Sequence, residues 1–172
     1  MKYFNVFIIL FLWCSTTTYA QIDDDAKDFK NTQARLNLNA ALELELDPIN
    51  DISFNFVTPG DIENGVVKSQ FARFKIKATR PWTLSVKTLT PYFSATGRYA
   101  SDDMPPSVLG IKKSNQADYI PLAFYDTRLF SGSRGGVFTP GNDFTADIKF
   151  TPGFEYGPGY YFISLVYTLS AM

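Results

Sequence analysis

The side chains that most enzymes use for proton transfer and nucleophilic attack are scarce in this chain. Its 172 residues include no histidine and one cysteine. Without an imidazole there is neither a Ser-His-Asp triad nor the usual histidine metal site. The cysteine, Cys14, lies in an N-terminal segment that reads as removable, so no thiol nucleophile and no disulfide are expected in the remainder. Carboxylates are left. Asp102 and Asp103 adjoin Met104-Pro105-Pro106 and read as loop; on a strand, neighbours would point to opposite faces. Glu43 and Glu45 share the outer face of one predicted strand, and Glu63 and Glu155 fall in turns. A glycosidase needs two carboxylates facing one bond across ~5–9 Å, a geometry that this spacing does not announce. "SGSRGG" at 131–136 is glycine-rich but lacks the lysine and spacing of a phosphate loop, and reads as a mobile hairpin tip. Asp23, Asp24 and Asp25 lack the spacing and glycine of a calcium loop. The expectation is a protein without catalysis, cofactor or metal.

Aromatic rings are the other chemistry on offer, at 16% of the chain. Two stretches nearly repeat one another: "RPWTLSVKT" at 80–88 and "LVYTLSAM" at 165–172. On a strand, Trp82 and Leu84 share one face with Thr83 on the other, and Tyr167 and Leu169 do the same around Thr168. Each pair would fill a layer of a core, with the indole N–H and phenol O–H reaching for partners at its rim. Further rings lie near turns: Tyr92, Phe93, Tyr99, Tyr156, Tyr160 and Tyr161. Exposed rings stack on sugar faces, which makes Tyr92, Tyr99 and Tyr156 candidates for glycan contact.

The elements that must position these residues are strands. In "RLNLNAALELEL" the residues Leu36, Leu38, Ala40, Leu42, Leu44 and Leu46 alternate with mostly polar neighbours, which predicts one long half-buried strand over 35–46, closed by Asp47-Pro48. The same period places Ile52, Phe54 and Phe56 together, then Phe74, Ile76 and Ala78, then Trp82, Leu84 and Val86. It recurs in Phe144, Ala146, Ile148 and Phe150, and in one strand through Tyr161, Ile163, Leu165, Tyr167 and Leu169. Weaker strands are predicted near 107–112 and 119–124, and "TPGDIENG" reads as a turn. Short alternating strands separated by Gly/Pro-rich turns, with no amphipathic helical window, predict an all-β fold: an antiparallel, Ig-like or Greek-key β-sandwich of about 8–10 strands.

The N-terminus carries a different signal. Lys2, the apolar run Phe4–Trp13 and "STTTYA" ending at Ala20 have the order of a secretory signal peptide, so residues 1–20 are expected to be cleaved. Trp13 before Cys14 is bulkier than lipoprotein signals want. The polar, acidic stretch 21–33 is expected to be a flexible leader, and 34–172 a single domain of about 140 residues. The run at 4–13 is too short to span a bilayer, and no other apolar stretch is long enough for a transmembrane segment. A formal net charge of −1 leaves no basic footprint for nucleic acid. Localisation is therefore expected to be exported: cell surface, extracellular or periplasmic.

The doubled phrase also resembles WxL cell-surface domains, exported β-sandwich modules with two W-x-L motifs, the second in their last strand. Trp82-Thr83-Leu84 matches the first motif, and "GYYFISLVYTLSAM" is similar to the terminal strand, with Tyr167 where the family has Trp. The resemblance covers about residues 34–172 and implies binding through Trp82, Leu84, Tyr167 and Leu169 to cell-wall glycan or to envelope and surface proteins. A looser likeness is to pilin and spore-coat-type sandwiches, which pair a polar leader with a long alternating strand. Two alternatives accompany the attachment module: a carbohydrate-binding module, and a fibre subunit that self-assembles by strand exchange.

Overall fold

The computed structural model describes residues 39–49 and 52–172. The expected signal peptide, the leader and residues 35–38 of the long alternating run lie outside the described residues; residues 39–41 are not strand, and the strand that does form starts at Leu42 and runs on through Asp47 and Pro48. Within them the chain is an all-β antiparallel sandwich of ten strands. The strands are β1 (Leu42–Pro48), β2 (Val66–Ala78), β3 (Trp82–Thr88), β4 (Ser94–Thr96), β5 (Leu109–Lys113), β6 (Ile120–Pro121), β7 (Thr127–Gly132), β8 (Asp143–Phe150), β9 (Tyr160–Phe162) and β10 (Leu165–Ala171). One sheet runs β1-β2-β8-β5-β6, a second β10-β3-β7, and β4 pairs with β9 as a short ribbon.

Period-two patterning sets the packing. In β3 the odd-spaced Trp82, Leu84 and Val86 are fully buried, and in β2 Phe74, Ile76 and Ala78 face them from the other sheet. Ala146, Ile148 and Phe150 of β8 complete the layer. Burying a side chain of this size stabilises the fold by about 1.5–3 kcal/mol. Rings lock the contact between sheets. Phe144 stacks on Phe74 at 5.4 Å and on Trp82 at 6.4 Å, and Phe130 of β7 meets it edge-on at 5.1 Å. On the solvent side of β1 and β2, Lys77 pairs with Glu43 and Lys75 with Glu45 and Asp47 at 2.7–2.9 Å. A one-residue slip would break these pairs and turn the leucines outward, so charge and apolar pattern select the same register.

Several expected elements take another form. "ISFNFV" is extended but forms no strand; Phe54 and Phe56 instead set their ring edges on Phe150 at 5.5 and 5.2 Å. The predicted turn "TPGDIENG" winds into a helical turn, α1 (Pro59–Asn64), with a capping box: Thr58 Oγ1 accepts from the Asp61 N–H while Asp61 accepts from the Thr58 N–H. The last predicted strand is two, β9 and β10, broken at Ile163-Ser164 and sent to different sheets. The "hairpin tip" is tied down. Gly135 exchanges both backbone hydrogen bonds with Ala78, and Gly132 belongs to β7.

Gly132 faces the indole so closely that a Cβ would fall within the Trp82 ring atoms. Gly132→Ala is therefore expected to destabilise by about 1–3 kcal/mol through overpacking, measured by urea unfolding.

Candidate functional site

The two similar phrases lie side by side. β10 pairs antiparallel with β3, setting Leu169 opposite Leu84, Tyr167 opposite Val86 and Ala171 opposite Trp82. The four motif residues are thus brought together, on the core face of one sheet. Trp82 and Leu84 are fully buried, and the Trp82 Nε1–H donates to Asn142 Oδ1 at 2.9 Å. Tyr167 and Leu169 are half-buried. The Tyr167 ring meets Phe74 edge-on at 5.4 Å, yet its buried hydroxyl has no hydrogen-bond partner. Burial pushes this phenol well above the usual tyrosine range, so it stays a neutral O–H donor.

Tyr167 also lines a cleft of ≈ 1650 Å³ at one end of the sandwich. Its floor is Phe71, Met104 and Ile148, and its rim includes Leu46, Phe54 and Leu165. The lining is mostly apolar, as binding clefts are. Two structural devices build it. The first is a bulge in β2: between the pairs Lys68–Ile148 and Ala72–Ala146, β2 takes four steps while β8 takes two. Gln70 occupies the left-handed region at φ 48°, and the bulge swings Phe71 inward beside Ala72, so that two successive residues are buried.

The bulge is held by Asp147, whose carboxylate accepts from the Gln70 N–H at 2.8 Å and the Ser114 hydroxyl at 2.6 Å. Lys112 Nζ lies 3.7 Å from its other oxygen. Burial pushes the Asp147 carboxyl up, but the Ser114 and Gln70 hydrogen bonds and the lysine outweigh it and hold it below the usual range.

The second device is a polar knot at the far wall. Ser101 N–H donates to the Tyr161 hydroxyl at 3.0 Å, and Gly157 N–H donates to Ser101 Oγ at 3.1 Å. The Tyr161 hydroxyl in turn donates to the Gly157 carbonyl. A Cβ at 157 would strike the Tyr99 carbonyl, so this wall closes only around glycine.

The rings named for glycan contact are spread out. Tyr156 lines the cleft and is half-buried; Tyr92 and Tyr99 are exposed outside it, Tyr99 beneath the Arg98 guanidinium at 5.4 Å. Tyr160, one of the rings noted near turns, and Phe162, which was not, are better placed. Tyr160 and Phe162, on one face of β9 and 73% and 62% exposed, stand beside the cleft. Two rings flanking an inward Tyr161 at period two was the signal available in the sequence.

Of the carboxylates, Asp102 and Asp103 are exposed, and no cluster of three acidic, histidine or cysteine groups suited to a metal occurs among the described residues. No helix among them is long and apolar enough to cross a membrane.

Tyr167→Phe tests the orphaned hydroxyl. Removing a buried donor that has no acceptor is expected to raise stability by about 1 kcal/mol, read as a higher urea midpoint at unchanged slope.

No protein-family model matches this chain, and no curated protein matches it at a significant level.

Proposed function

We propose that the protein is a non-catalytic, exported structural or attachment module of the cell surface or envelope, WxL-like in its use of a β-sandwich to engage a surface partner. The observation that carries this reading is the apolar cleft of ≈ 1650 Å³ beside β10, an edge strand of its sheet among the described residues. An apolar lining with an unsatisfied phenol suits an extended protein segment, whose side chains fill the cleft while its backbone carbonyls accept hydrogen bonds. The N-terminal signal order supports export, and the lack of histidine and of any cysteine beyond residue 14 supports a role without nucleophilic or acid–base chemistry.

The test is co-sedimentation of the mature protein with purified envelope and wall fractions, with pull-down of envelope proteins. Binding that is lost when Leu165 at the cleft rim is replaced by Arg supports the reading. A protein that stays in the supernatant and captures nothing overturns it.

One observation favours carbohydrate as the ligand instead: the exposed Tyr160 and Phe162 on a single strand face. A saturable change in tyrosine fluorescence with a glycan, lost in Tyr160→Ala, would favour that alternative; flat titrations across a glycan panel dismiss it.

A further inference from the structure

We propose that the edge of β10, which no described strand pairs with on its outer side, accepts residues 35–40 of a second copy of this chain as an added strand. The inference rests on the cleft being a docking site and names its occupant.

Three features of the structure describe what is missing at that edge. In the β10–β3 pair, the Leu89 N–H donates to the Ser164 carbonyl and the Met172 N–H to the Pro81 carbonyl. The even-numbered residues of β10 therefore bond to β3. The N–H and C=O groups of Leu165, Tyr167, Leu169 and Ala171 point the other way, where no described residue pairs with them. Second, the apolar side chains along this border are incompletely covered. Leu165, Tyr167 and Leu169 are half-buried while Trp82, Leu84 and Val86 on the adjacent strand are fully buried; on β1, which approaches β10 along this border, Leu42 and Leu46 are still 40% and 39% exposed. Third, the Tyr167 hydroxyl is buried with no acceptor. A ladder of unpaired backbone groups, an uncovered apolar stripe and an orphaned donor are together the needs of one missing strand. A lipid chain would meet only the second.

The sequence supplies a strand of the right kind. Leu36, Leu38 and Ala40 alternate with Asn37 and Asn39 just ahead of β1. Inward leucines would cover the stripe, and outward asparagines would face solvent. The geometry of β1 argues for delivery to a neighbour. Ala41 is fixed to Thr79 by hydrogen bonds in both directions, at the end of β1 remote from Leu46 and Pro48, which line the cleft. To fill its own cleft, the chain would have to reverse within Asn39–Ala41, where there is neither Gly nor Pro to make the turn. Continuing outward, it can reach the edge of another copy.

Disulfide trapping tests this directly. Asn37→Cys and Thr168→Cys are made in separate full-length proteins, each also carrying Cys14→Ser so that each has one thiol. Thr168 is exposed on β10 between the half-buried Tyr167 and Leu169, and a pairing that turns Leu36 and Leu38 inward would put Asn37 on the same solvent face, within disulfide reach of it. Mixing the two proteins under mild oxidation is expected to give a mixed disulfide dimer at least 10-fold above either protein alone. Leu36→Asp with Leu38→Asp in the Asn37→Cys protein should abolish it. Absence of the mixed dimer overturns the proposal. So does a purely intramolecular disulfide in the protein carrying both cysteines, which would mean that each chain covers its own edge. If the dimer is absent but envelope co-sedimentation persists, the docking reading survives and the second copy is excluded as its occupant.

Discussion

Trp82→Ala is expected to lower the unfolding free energy by about 3–5 kcal/mol, the range for deleting a large buried ring. The indole is fully buried between the sheets, stacked on Phe144 and pressed against Gly132. Its loss opens a cavity that strands anchored on both sides cannot close. It also removes the donor to the Asn142 carbonyl oxygen, a side chain that is itself fully buried and that bonds through Nδ2 to the Gly135 and Gly136 carbonyls. Trp82→Phe separates the two effects. A ring remains, and the orphaned acceptor alone should cost about 1–3 kcal/mol. Urea unfolding followed by far-ultraviolet circular dichroism measures both; a Trp82→Phe midpoint equal to that of the wild type would show that the hydrogen bond contributes nothing.

The second large effect is expected at Asp147. Asp147→Ala strands the Gln70 N–H and the Ser114 hydroxyl and releases the bulge that turns Phe71 into the cleft floor. Hydrogen bonds to a charged acceptor and orphaned buried groups together predict a loss of about 2–4 kcal/mol. The loss is pH-dependent with a definite sign. The folded-state pKa of Asp147 lies below its unfolded value. Its contribution is therefore complete above the unfolded pKa of about 3.9 and disappears as the pH falls through the folded one. The stability gap between wild type and Asp147→Asn should be widest near neutrality and narrow below about pH 4. A gap constant from pH 7 to pH 2.5 would mean that the charge has no part in holding the bulge.

Neither position was equally visible beforehand. Trp82 announced itself: β3 is a strict two-residue alternation, and its inward face follows from the period alone. Phe74, Ile76, Ala146 and Ile148 were legible for the same reason, and with them the antiparallel sandwich. Asp147 was not. It sits between Ala146 and Ile148, where period two assigns it to solvent, and it is buried because a bulge on the neighbouring strand folds over it. Bulges depend on pairing between distant segments, so they leave no local trace.

The apolar "ISFNFV" misled for the opposite reason. Its pattern is that of a strand, but it joins no sheet: Phe54 and Phe56 pack on Phe150, and the Val57 N–H is taken by the Asp61 carboxylate. The break at Ile163-Ser164 was hidden inside a continuous alternation that serves two sheets in turn. The candidate site suffered most, since the cleft is assembled from the bulge, the unpaired segment and that break. Of its features the sequence disclosed only the rings and the alternating leucines.

The order of strands in the sheets carries a kinetic consequence. Only the β1–β2 and β5–β6 pairs join neighbours in the chain; β2 waits for β8, and Trp82 in β3 waits for Ala171 in β10. Bringing such distant segments together costs loop entropy before any contact rewards it, which places refolding on a scale of about milliseconds to seconds. During that interval the emerging polypeptide displays several sticky, unzipped ribbons at once. Chaperoning in the compartment where it folds would then govern its yield more than its final stability does.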